Sequence, residues 1–120
     1  MVNVGKTKTI DKYSNMMPIE LRMFLEDSPK DDLDWGLVTY LFENTKSGNI
    51  ITLGKISNFF DIDRKLLFDR LNRMSWWIRQ YLNSEEYGKM YYTYEISEMA
   101  ADFIVKLIEL YEKMARNKNK

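Results

Sequence analysis

The 120-residue chain has no cysteine and no histidine. Without cysteine there are no disulfides, thiolate metal sites or thiol nucleophiles. Without histidine it loses the commonest general base and the commonest transition-metal ligand. Catalysis would fall to carboxylates, lysine, tyrosine or serine, and no carboxylate pair with a supporting base stands out. An enzyme is therefore not expected, and no catalytic residue, cofactor or metal is assigned. Apolar runs fall short of the roughly 18 residues that cross a bilayer, and no basic-apolar-small leader opens the sequence. The expectation is an intracellular, cytoplasmic protein with no membrane partner. Formal net charge is zero, which argues against a histone-like coat on nucleic acid, and 45% apolar residues are too many for a disordered chain.

What is present falls into blocks. Residues 1–30 are the least regular: a polar arm is followed by "PIELRMFLED", where Pro18 suits a first helical turn and Leu21, Phe24 and Leu25 share a face. From Asp31 to Lys46 a helical stripe runs through Leu33, Leu37, Val38, Leu41 and Phe42. Asp31, Asp32 and Asp34 favour its N-terminal end, and Ser47-Gly48 stops it. "NIITL" reads as extended. Thr52 caps a short helix over Leu53 to Phe60, with Ile56, Phe59 and Phe60 apolar, and Asp63 caps another from Arg64 to about Ser75. "WIRQYL" and "KMYYTYEI" read as strands joined by "NSEEYG", with Gly88 available for positive φ. Ser97 caps a last helix running to about Arg116, and "NKNK" is a frayed tail.

Charge is unevenly placed along these blocks. Residues 1–49 carry six cations and eight acids, and residues 50–90 carry seven and five. Within Arg64 to Arg73 there are four cations against one acid. Such a local basic footprint on a balanced chain fits selective binding better than bulk phosphate coating.

From Thr52 to Ile78, "TLGKISNFFDIDRKLLFDRLNRMSWWI" resembles the helix-turn-helix core of MarR-, ArsR- and PadR-like regulators. It is similar above all to the small winged-helix regulators of archaea and their viruses. The matching positions are Ile56 and Phe59 on the first helix, Ile62 in the turn, and Leu67, Leu71 and Met74 on the second. "YEISEMAADFI", Tyr94 to Ile104, resembles the join of the second wing strand to the terminal helix, with Ser97 as the cap and Ala100 in place of a frequent glycine. Two departures are visible: Ser75-Trp76-Trp77 replaces the glycine usual after the second helix, and the wing loop is acidic at Glu85 and Glu86. The resemblance implies a mainly α fold with a small β-hairpin, a winged helix-turn-helix with an extra C-terminal dimerisation helix. Residues 1–30 would be arm and short helix, 31–96 the winged domain, 97–116 the dimerisation helix and 117–120 the tail. A viral origin would put the protein in the host cell.

The expected function is sequence-specific binding of double-stranded DNA by a homodimeric transcription regulator. At 100° per residue, Leu67, Leu71 and Met74 define a buried face of the second helix, opposite Lys65, Asp69, Asn72 and Arg73. Lys65, Asn72 and Arg73 suit base edges, and Arg64 and Arg70 suit phosphates. Asp69 repels phosphate unless it pairs with Arg73 four residues on. Arg79 and Lys89 flank the wing loop and reach phosphates from its base. Of Trp76 and Trp77, one is expected in the core, and the hairpin tyrosines are expected to pack across strands with their hydroxyls in water. On the terminal helix, Phe103, Leu107, Leu110, Tyr111 and Met114 belong to an apolar arc too wide for one small domain to cover, so a second copy is the expected partner. The alternative is a winged helix used for protein interaction or assembly, without DNA. A ligand-gated regulator with an aromatic pocket between wing and terminal helix is a third reading, its effector unknown.

Overall fold

A computed structural model describes residues 18–85 and 88–118. The polar arm, Glu86, Tyr87 and the last two residues lie outside them. Among the described residues, five helices and a three-stranded antiparallel sheet follow in the order α1 (Ile19–Glu26), α2 (Asp32–Lys46), β1 (Ile51–Thr52), α3 (Leu53–Phe60), α4 (Arg64–Arg73), β2 (Ile78–Ser84), β3 (Met90–Ile96) and α5 (Glu98–Lys118). Among the described residues no helix is long and apolar enough to cross a membrane.

Local chemistry starts and stops these helices as the sequence suggests. Asp31 accepts from the Asp34 amide, Thr52 from the Lys55 amide, Asp63 from the Lys65 amide and Ser97 from the Ala100 amide. Each cap satisfies an N–H that the first helical turn leaves without a carbonyl. Between α3 and α4 the chain reverses at Asp61, which adopts the left-handed conformation at φ 54°. A short polar side chain tolerates that region better than most. Ser57 fixes the turn from both sides: its hydroxyl donates to the Ile62 carbonyl at 2.6 Å, and its carbonyl accepts from the Ile62 amide at 3.2 Å.

α4 stops at Arg73, two residues earlier than expected, and Met74 to Trp77 form a turn closed by the Trp77 and Ile78 amides on the Met74 carbonyl, both at 2.9 Å. No residue from Met74 to Trp77 has positive φ, so the turn is made without a glycine at Ser75-Trp76-Trp77. Trp76 and Trp77 therefore lie in the turn and not in the strand. Trp77 is the buried one; its ring stacks on Phe24 at 4.3 Å, and its Nε1 donates to the Phe24 carbonyl at 2.7 Å. Phe103 of α5 meets the Trp77 ring edge-on at 5.5 Å and Trp35 of α2 does so at 5.8 Å, so one indole joins α1, α2 and α5. Asp27, just after α1, accepts from the Ser75 hydroxyl and the Trp76 amide. On α1 only Phe24 is buried; Leu21 and Leu25 remain exposed, because a two-turn helix touches the body at this one point.

The sheet order is β1-β3-β2, with Ile51 opposite Tyr94 and the β2–β3 hairpin in register from Ile78–Ile96 to Ser84–Met90. The expected hairpin is present, and "NIITL" supplies the third strand. Its central strand buries Thr93 and Tyr94 together, since partners on both sides cover it. The Tyr94 hydroxyl donates to Gln80 Oε1 at 2.8 Å, and Tyr81 donates to Glu95. These two hydroxyls are bonded within the sheet instead of to water. Burial pushes the Tyr94 hydroxyl upward in pKa, and the Glu95 hydrogen bond does the same at Tyr81.

The core gathers Leu37, Val38, Leu41 and Phe42 of α2 with Ile56, Leu67, Leu71, Met74, Trp77, Ile96 and Ala100. Phe59 does not join it. It is 65% exposed and lies on Tyr40 at 4.3 Å, because Ile56 and Phe60 already fill the inward face of an eight-residue helix.

Candidate nucleic-acid interface

The exposed side of α4 is set by what the helix buries. Leu67, Leu71 and Met74 are enclosed, and Phe68 packs half-buried on Tyr92 of β3 at 5.1 Å. This fixes the opposite arc, where Lys65, Leu66, Asp69 and Asn72 are all exposed. Leu66, at 61% exposure, is an apolar side chain in a polar row. Arg64 is also exposed, and its guanidinium lies against α3: a Cβ added at Gly54 would stand 3.0 Å from Arg64 Nη2. A side chain at Gly54 would displace that guanidinium.

Arg70 and Arg73 belong to a different arrangement from the one the sequence suggested. Asp34 sits one turn into α2 and is wholly buried, at 0% exposure. Its Oδ2 accepts from Arg73 Nη2 at 2.7 Å and from the Lys30 amide at 2.9 Å, and its Oδ1 accepts from Arg70 Nη1 at 3.1 Å. Asp31 completes the group, with both carboxylate oxygens within 2.8 Å of Arg70 Nη1. The Arg70 hydrogen bond, then that from the Asp34 amide, hold the Asp31 carboxyl below the usual carboxylate range. Arg70 is raised in turn, chiefly by Asp31.

The condition set for Asp69 is not met, because Arg73 bonds Asp34 instead. A carboxylate removed from water requires cations and donors around it, whereas exposed Asp69 is solvated already. Arg73 retains 52% side-chain exposure, so its guanidinium is accessible while bonded.

The remaining candidates divide into near and far. Asn72 and Arg79 line one depression between α4 and β2, together with Ser75 and Tyr81. Arg79 stands opposite Glu95 in the hairpin register, so its charge also has an acid beside it. Lys89 is at the far end of the hairpin, level with Glu85 and about 20 Å along the strand from Arg79. Its carbonyl accepts from the Glu85 amide, and Gly88 closes the loop at φ 80° as expected.

On α5 the expected interface residues split. Phe103 is spent within the chain, against Phe24 and Trp77. From Val105 through Asn117 every residue is exposed, including Leu107, Leu110, Met114 and, at 74%, Tyr111.

The sequence reading missed the roles of Asp31 and Asp34, having assigned them to the helix dipole. A signal was there: Asp34 falls on the same stripe as Leu37, Val38 and Leu41. A carboxylate on an apolar stripe calls for a cation from elsewhere. The chain matches no protein-family model, no curated protein and no solved structure at the significance such matches require.

Proposed function

We propose that this protein is a homodimeric winged-helix DNA-binding protein acting as a transcription regulator. The observation that carries the proposal is the α3–turn–α4 unit. Its second helix is anchored through Leu67, Leu71 and Met74 and presents Lys65, Asp69 and Asn72 outward beside a hairpin. Lysine and amide side chains at the exposed face of such a helix can donate to guanine and adenine edges in a major groove. Arg64 and Arg79 flank that face as phosphate contacts, with Asn72 and Arg79 lining a shared depression. Arg70 and Arg73 move from leading contacts to subsidiary ones, since each is already bonded to a carboxylate. The exposed apolar half of α5 supports pairing of two copies, which would bring two α4 helices to successive major grooves about 34 Å apart.

Gel-shift measurements on genomic fragments, with the mass of the protein in solution, test this reading. Replacing Arg64, Lys65 and Asn72 together by alanine should weaken specific binding by at least 1–3 kcal/mol, the range of about one good base contact. Unchanged affinity in that folded variant would refute the assignment.

A second reading has its own observation. Leu66 is exposed in the middle of the arc, and acids compensate two of the four α4 cations. That pattern suits a protein-interaction module. Such a module would show no salt-sensitive binding to random duplex, whereas a DNA-binding protein loses affinity steeply as salt rises.

A further inference from the structure

The inference concerns the four-residue group Asp31, Asp34, Arg70 and Arg73, and it rests on the DNA-binding reading above. Helix α4 carries four cations, yet the start of α2 and its N-cap supply two carboxylates aimed at two of them. With Asp69 on the same helix, the neighbourhood is left close to neutral. The geometry resembles what a nucleic-acid backbone would offer: anionic oxygens 2.7 to 3.1 Å from guanidinium nitrogens. Neither arginine is sealed away, with side-chain exposures of 32% and 52%. The outer acid, Asp31, is itself half exposed, so the Arg70–Asp31 pair is open to competition by another anion.

We propose that Asp31 and Asp34 act as internal stand-ins for phosphate, occupying Arg70 and Arg73 so that the protein binds arbitrary duplex weakly. Discrimination between sites then depends on Lys65 and Asn72, which hold no such partner among the described contacts. Non-specific affinity scales with the number of phosphates neutralised, so withholding two arginines lowers it without touching the base-reading face. Only a duplex that seats α4 closely presents phosphates well enough to displace Asp31 from Arg70. Buried Asp34, bonded also to the Lys30 amide, stays in place and keeps the arginines oriented.

Asparagine at position 31 retains the N-cap and removes the charge, so Asp31→Asn is the discriminating variant. Asp32→Asn is the matched control: it deletes the same charge at the neighbouring position, and among the described contacts Asp32 holds no arginine. Binding to random-sequence duplex is followed by fluorescence anisotropy from low to moderate salt, with circular dichroism to verify the fold. Asp31→Asn should bind random duplex about three- to tenfold more tightly than Asp32→Asn and steepen the salt dependence by about one phosphate. Adding Arg70→Gln to Asp31→Asn should remove that gain. If wild type binds duplex through Lys65 but Asp31→Asn behaves as Asp32→Asn does, the stand-in role is refuted and the DNA reading survives. If neither wild type nor any variant binds duplex at low salt, both fall together.

Discussion

The outward arc of α4 and the outer half of α5 are both exposed, but the chain treats them differently. On α4 it compensates its own charge: Asp31 and Asp34 reach across from α2 to Arg70 and Arg73. On α5 it leaves Leu107, Ile108, Leu110, Tyr111 and Met114 uncovered over a length of about 11 Å. Charge on a surface can be balanced by a few well-placed side chains. Apolar area is reduced only by another surface of similar size, on the order of 800 Å² per partner in a stable complex. The first region is thus balanced within the chain, while the second has no cover among the described residues.

The largest expected effect comes from breaking the compensated region on its cationic side. Replacing Arg70 and Arg73 together by methionine leaves Asp34 buried without a cation and should cost about 3–5 kcal/mol in urea denaturation. Asp34→Ala should cost less, since the half-exposed arginines can return to water. That inequality is the test of which partner depends on the other; equal losses would contradict the burial argument.

Next in size is the contrast between inner and outer apolar residues. Leu71→Ala, in the core, should lose about 2–5 kcal/mol. If two copies pair through α5 as proposed, Leu110→Glu should leave the stability of the folded monomer within about 0.5 kcal/mol while halving the mass in solution, read by light scattering. A variant that stays dimeric would place the interface elsewhere.

A smaller effect lies in the turn that sets α4 against α3. Asp61 is left-handed, so Asp61→Val should destabilise by about 1–2 kcal/mol, measured by thermal melting.

Smallest is the pH dependence of the outer ion pair. Asp31 has a carboxyl pKa depressed in the folded state, so its contribution is fully present above the ordinary carboxylate value, about 3.9. It is lost as pH falls through the lower folded value. Stability curves of wild type and Asp31→Asn should therefore converge on acidification below about pH 4. Curves that stay parallel would mean that the pair adds nothing to the folded state.

Much of the element order was legible in the sequence, because it is written in local spacing. Thr52, Asp63 and Ser97 cap where their chemistry says they should, and Leu67, Leu71 and Met74 line one helical face whatever lies beyond them. Local spacing says less where a distant partner is stronger. Arg73 and Asp69 have the right spacing to pair, yet Arg73 bonds an acid 39 residues earlier. Phe59 has an apolar side chain on an apolar helix but meets Tyr40 at the surface.

Helix caps and apolar faces are written in the chain, since those properties follow from neighbours within one or two turns. The burial of Asp34 beneath two arginines, the use of Phe103 on Trp77 and the exposure of α5 beyond it emerge only when the elements pack. Burial and ion pairing depend on which distant surfaces meet. A carboxylate chooses its cation by the water it has lost, and periodicity does not record that loss.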